Sequence, residues 1–438
     1  MGVCPFVDTA RIRPQNVSSF AAEKAAGQNG GNVKKIWIPL VIVAVLVGAY
    51  VSASAVFEGK ARQELAALKA KGFPVTPADL AARYGSGVNP TGRMLNDAAA
   101  QIDRKPRLTI ADVETSGVRA DPAAVSALLK NKSDVIATLL AVADSPPARF
   151  GLKYEDGYSA RLPEILPKLP AFHALLTIDA HALAEAGRPD SAMRVLRAAV
   201  RMADIMGEPW LMSLLASVVG FDSTCTLVVR YAPVASPTSR ELIRKELARL
   251  DFRELLTRVV ASEAVLTEAT VLKQGPITGD NGRAGLIPWL KVAPVRNSAR
   301  YVGLDYVRRN LDALAMPWWQ GRKDVESIEK SRSRGGLYSM VAEIAAPNIL
   351  LFYARMERAA ARRGLTLLAL DVCDFRSRSG RLPSTLAEIG TDLPADPFTG
   401  KPLNYRADAS GFTVYSTGMD GADDSGDPAK DLVLRASI

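Results

Sequence analysis

Histidine, cysteine and aromatic residues are all scarce in this sequence. Two histidines in 438 residues exclude a multi-histidine metal centre and leave His-dependent catalysis only His173 and His181. These two sit eight apart in one helical pattern with Asp179 the sole acid between them, a poor zinc set and an ordinary pair of packing residues. Three cysteines cannot build a disulfide framework. Cys225 and Cys373 are candidates for one bridge outside the cytoplasm, the alternative being two small core side chains. Aromatics, at 6%, are too sparse among the basic residues to offer a stacking platform, which argues against nucleic acid as a partner. The phosphate-cradling G-x-x-x-x-G-K-S/T, H-E-x-x-H and G-x-S-x-G patterns are all missing. Ser327-Ile328-Glu329-Lys330 fits S-x-x-K, but no K-T-G follows it. With 48% hydrophobic and 23% charged residues, the chain has ample material for a packed core, which excludes disorder.

Long apolar runs are absent but for one. Residues 36–57 hold 22 uncharged residues between Lys34-Lys35 and Glu58. As a helix they reach roughly 33 Å at 1.5 Å per residue, enough for a hydrocarbon core of about 30 Å. Trp37 and Tyr50 stand towards the two ends, where amphipathic rings favour the headgroups. A signal peptide cleaved after Ala53-Ser54-Ala55 is the competing reading; the long leader and the length of the run favour an uncleaved anchor. The arm ahead of it carries five bases against two acids, which places the N-terminus in the cytoplasm and the bulk of the chain outside.

The expected organisation is a flexible cytoplasmic arm (1–35), a transmembrane helix (36–57), an α-helical extracytoplasmic domain (58–340) and a small α+β module (341–438). Thr76-Pro77-Ala78-Asp79 caps a short helix that Gly85 closes. Asp121-Pro122 opens a helix to about 143, and another is expected from Glu208-Pro209-Trp210 to Tyr231. Residues 171–186 and 189–206 form the clearest helical pair, turned by Gly187. The stretch ALAEAGRPDSAMRVLRAAVRMAD resembles a tetratricopeptide-type hairpin, in a single copy without a recurring period. Residues 239–250 and 252–273 make a further pair, 275–296 a long loop, and 298–314 and 322–333 more helix. Trp318-Trp319 fall between these last two, as a docking surface or a core corner. Residues 296–363 hold thirteen bases against seven acids. That is either a basic face for an acidic partner or a set of solvated helix faces with interleaved glutamate.

The C-terminal quarter has the most specific pattern. A helix over 345–376 is followed by Gly380-Arg381-Leu382-Pro383, then by Asp396-Pro397-Phe398 with Gly400, Pro402 and Tyr405. Two short strands over 404–406 and 412–415 come next, then Ser416-x-Gly418-x-Asp420-Gly421 and a run of acids. This order, over about 345–431, resembles the globular part of the major pseudopilin of type II secretion. It departs from that family in three respects. The apolar helix lies far upstream of the long helix, no prepilin leader precedes it, and Thr399 separates Phe398 from Gly400. A pseudopilin-like module carried by an envelope protein is the reading these departures favour.

The resemblance implies calcium at the acidic loop, whose candidates are Asp420, Asp423, Asp424, Asp427 and Asp431. A hard cation wants several oxygens, and five carboxylates in one short segment would otherwise repel one another. An EF-hand is excluded because Ala422 and Ser425 occupy its third and sixth positions. The alternative is a solvated Asp/Gly turn. The expected protein is thus mainly α, membrane-anchored through lipid contacts of one helix, and a non-enzymatic scaffold for an envelope protein partner. Two alternatives stand beside it: an accessory component of a secretion-like or pilus-like system, and an envelope hydrolase whose site carries no recognised motif.

Overall fold

Apolar residues recurring at helical spacing over most of the chain produce a mainly helical fold with a small antiparallel sheet at the C-terminus. A computed structural model of the protein describes residues 25–103, 122–160, 163–273, 292–332 and 348–438. Its helices are α1 (Ala25–Ala70), α2 (Pro77–Tyr84), α3 (Pro90–Ala100), α4 (Pro122–Asn131), α5 (Ser133–Ala143), α6 (Leu169–Glu185) and α7 (Pro189–Arg201). There follow α8 (Leu211–Val218), α9 (Phe221–Tyr231), α10 (Pro237–Ala248), α11 (Phe252–Lys273), α12 (Ala293–Leu314), α13 (Trp318–Arg332) and α14 (Ile349–Ser379). The strands are β1 (Asn404–Asp408), β2 (Gly411–Ser416) and β3 (Leu432–Ser437), in the order β1-β2-β3.

The chain divides into two units, Met1–Val56 and Phe57–Ile438. In the first, residues 37–52 of α1 are exposed on every side, and the apolar window is wholly unburied. By length and composition this is the one helix, among the described residues, able to cross a membrane; a signal sequence has the same character.

The second unit is built around α11. From Val259 to Val271 nearly every residue of this helix is buried, because α12, α14, α8 and the 3-10 turn Tyr154–Ser159 surround it. The turn requires Gly157, whose φ is +55° and whose added Cβ would lie 2.2 Å from Thr270 Oγ1. The α6–α7 hairpin packs against α5, α9 and α10, with Gly187 left-handed at φ +73° as the sequence indicates. Thr76 and Asp79 form the expected capping box of α2, closed by Gly85.

Three sequence expectations are corrected. The helix expected from 122 to 143 breaks at Lys132, and the one expected to run from 208 to 231 starts at Leu211 and breaks at Gly220 (φ +87°). Trp318 and Trp319 open α13 instead of preceding it. A third strand, β3, completes the sheet. The module boundary expected near 340 and most of the loop expected over 275–296 lie outside the described residues, as does most of the N-terminal arm.

Part of the basic surplus of 296–363 is met by acids from distant parts of the chain. Within the second unit Arg300 pairs with Glu268 at 2.7 Å and with Glu58, and Arg308 pairs with Glu64 and Asp305. Arg358 and Arg362 share Asp222. The Arg300–Glu58 and Arg308–Glu64 pairs hold 57–70, whose Ala61 and Leu68 are fully buried, beside α12.

Candidate functional site

The C-terminal segment is held to the helical body through the Asp396–Gly400 turn. Asp396 is buried, and its carboxylate accepts the Phe398 amide at 2.9 Å and the Thr417 amide at 3.2 Å, tying the turn to the end of β2. The Gly400 amide donates to the Asp396 carbonyl at 2.7 Å. Phe398 packs edge-on against Trp318, which also meets Tyr353 of α14 edge-on. Trp319, half-exposed, covers Gly400, where an added Cβ would fall 2.5 Å from its ring. Of the tandem pair, then, one indole belongs to the core and the other lies across the turn. Tyr405 donates to the Pro383 carbonyl at 2.8 Å, closing the segment over the end of α14.

The sheet follows from alternation. β2 is central and buried throughout, and β3 turns Leu432, Leu434 and Ala436 inward. Between them lies the acidic loop. Asp420 caps the Ala422 amide at 3.1 Å, Asp423 the Ser425 amide at 2.9 Å and Asp427 the Ala429 amide at 3.0 Å. Asp424 pairs with Lys430 at 2.7 Å. Asp431 differs from the other four because it is buried. Its Oδ2 accepts the Gly426 amide at 2.7 Å, while its buried Oδ1 has no hydrogen-bond partner. The loop thus gathers the five carboxylates the sequence singles out but spends them on its own backbone and on Lys430. Among the described residues no three His, Cys, Asp or Glu side chains converge as a metal-binding group.

The other singled-out residues fall elsewhere. His173 is buried in α6 against Gly220, whose added Cβ would lie 2.6 Å from the histidine's own, and His181 Nδ1 lies 2.5 Å from the Tyr231 hydroxyl. Both rings therefore pack α6 on α9. Cys225 and Cys373 are free and buried, and burial pushes each thiol up to about 12, where thiolate chemistry is suppressed. Ser327 and Lys330 are exposed on α13.

Among the buried acids that escape sequence reasoning, two have raised carboxyls. Glu208 accepts the amides of Phe150, Gly151 and Leu152 at 2.9 to 3.1 Å. Glu357 accepts two bonds from Arg253, at 3.0 and 2.6 Å. In both, burial lifts the carboxyl above its usual range against the pull of these donors. Arg-Met-Glu-Arg reads equally well as a solvated helix face, so no local signal betrays Glu357.

Set against family models, curated proteins and solved structures, the chain matches none of them.

Proposed function

We propose that the protein is a membrane-tethered, non-enzymatic scaffold that presents its helical body and C-terminal α+β segment to an envelope protein partner. The observation that carries the tether is the uncovered apolar helix, since 37–52 expose their side chains all round and lipid is the environment that would cover them. The full chain is expected to stay with the membrane fraction after high-salt and alkaline washes, whereas a chain starting at residue 57 is released. The mature mass decides against a leader: loss of the first 55 residues would assign a cleaved signal and sink the tether. Proximity labelling from a C-terminal fusion in intact cells then identifies the partner; envelope secretion or pilus components among the labelled proteins would select the secretion-accessory reading.

That second reading is favoured by one feature, the succession of a long helix, the Asp396-Pro397-Phe398 turn and a three-stranded antiparallel sheet whose β2–β3 connection is acidic. It brings calcium with it. The unengaged buried oxygen of Asp431 suits a cation, and Asp420, Asp423, Asp424 and Asp427, which do not converge on it in this structure, would have to turn inward to complete the set. Calcium a hundredfold above its Kd would add about 2.7 kcal/mol to stability. The full chain in mild detergent is expected to melt a few degrees higher in millimolar calcium, and Asp431→Asn is expected to abolish the shift. No shift in the wild type would remove calcium from the proposal.

A further inference from the structure

A cleft of about 530 Å³ opens between the α10–α11 turn, the end of α12, the middle of α14 and Pro397. That volume lies within the usual range for small-molecule sites, roughly 300–1,000 Å³. Leu250, Phe252, Leu314, Ala360 and Pro397 give it an apolar wall. Its charged lining comprises the acids Asp251, Glu254 and Glu357 and the bases Arg253 and Arg363. Asp251 and Glu254 are exposed at the rim, while Glu357 is 2% exposed. Both bonds from Arg253 fall on Glu357 Oε1.

Backbone dipoles contribute with both signs. α10 ends at Ala248 and α12 at Leu314, both in the lining, so two helix C-termini contribute partial negative charge. The N-terminus of α11 at Phe252 contributes partial positive charge on the same wall, and Asp251 caps it by accepting the Arg253 amide at 3.1 Å and the Glu254 amide at 2.9 Å. The chain already exploits one of the C-termini: Arg363 donates to the Leu247 carbonyl at 2.6 Å and to the Ala248 carbonyl at 3.3 Å. A guanidinium is therefore accommodated at this end of the cleft by the protein's own sequence.

We propose that this cleft binds an organic cation, an alkylammonium or alkylguanidinium head on an aliphatic stem. The stem lies on the apolar wall, and the head takes Glu357 Oε2 together with the rim carboxylates. A bare metal ion is not the ligand this lining suits, because its acids do not converge as a ligand group. The head could arrive on a free polyamine or on a lysine or arginine side chain of a partner, and both present the same chemistry.

The test is titration of the full chain in mild detergent with agmatine, with N-acetyl-argininamide and with neutral pentanol, followed by calorimetry. Saturable binding of either cation, with none of pentanol, is the expected result. Tighter binding of agmatine points to a free polyamine, and equal or tighter binding of the amide points to a side chain. Glu357→Gln is expected to weaken binding about thirtyfold or more, as loss of a buried charge partner does. Glu254→Gln, at an exposed position where folding is untouched, is expected to weaken it about threefold. Absence of saturable binding at millimolar cation, or binding that Glu254→Gln leaves unchanged, overturns the proposal.

Discussion

Trp318→Ala is expected to lower the stability of the Phe57–Ile438 unit by about 3–5 kcal/mol, the usual cost of emptying a large aromatic site. The argument is one of position. Trp318 is 2% exposed, and its ring centroid lies 4.8 Å from that of Tyr353 and 5.7 Å from that of Phe398, both edge-on. It is thus the shared packing element of α13, α14 and the Asp396–Gly400 turn, and removing it opens a cavity that three elements must collapse into together. Tyr353 also donates to the Met316 carbonyl at 3.1 Å, so its ring is poorly placed to follow the void. Trp319→Ala is the internal control. That ring is 44% exposed and lies over Gly400 without joining the core, so its loss is expected to cost about 1–2 kcal/mol, well below the cost at Trp318. Thermal melting of the two variants in the same detergent separates them. Equal shifts would mean that the turn is not held to the body through Trp318.

The contrast between these neighbours shows where sequence reasoning stops. Trp318-Trp319 is conspicuous in the chain, yet which indole enters the core depends on α14 and Phe398, far away in sequence. Local signals fared better: the Thr76–Asp79 box, Gly85 and Gly187 end or begin helices through contacts within a few residues, and the structure places each as expected. Lys132 carries no glycine or proline signal, so its break was not legible. Gly220 did carry one, but an isolated glycine inside an apolar run is also tolerated within a helix. β3 was readable, since Leu432, Leu434 and Ala436 alternate, but six residues after an acidic loop are a short record for a strand. For the acidic loop, spacing announced the carboxylates and said nothing of their direction. Four turn an oxygen to local amides or to Lys430, and the buried Asp431 keeps a buried oxygen without a hydrogen bond. The ion pairs of Arg300 and Arg308 reach back to Glu58 and Glu64, a separation that no charge pattern along the chain records.

Glu208→Ala is expected to cost about 2–4 kcal/mol, because it orphans the buried Leu152 amide and the part-buried amides of Phe150 and Gly151, at about 1–3 kcal/mol for a fully buried one, partly recovered as the loop relaxes. The loop has little freedom to do so. Asn89 holds it on one side through the Pro147 carbonyl and the Arg149 amide, and the Ala148 amide donates to the Ile205 carbonyl at 2.7 Å on the other. Glu208→Gln keeps one acceptor oxygen and is expected to lose about half as much. The pH dependence is the sharper test. Burial raises the Glu208 carboxyl above its usual value, with the three amide bonds opposing. The folded state therefore binds this proton more tightly than the unfolded chain, whose glutamates titrate near about 4.3. The group's contribution to stability is full below that value and is lost as pH rises through the raised folded value. Glutamine cannot titrate, so the wild type's margin over Glu208→Gln is expected to shrink between acidic and neutral pH. Melting both proteins across that range checks the sign. A margin that grows with pH would mean that the amides of Phe150, Gly151 and Leu152 outweigh burial and that the loop is organised around the anion.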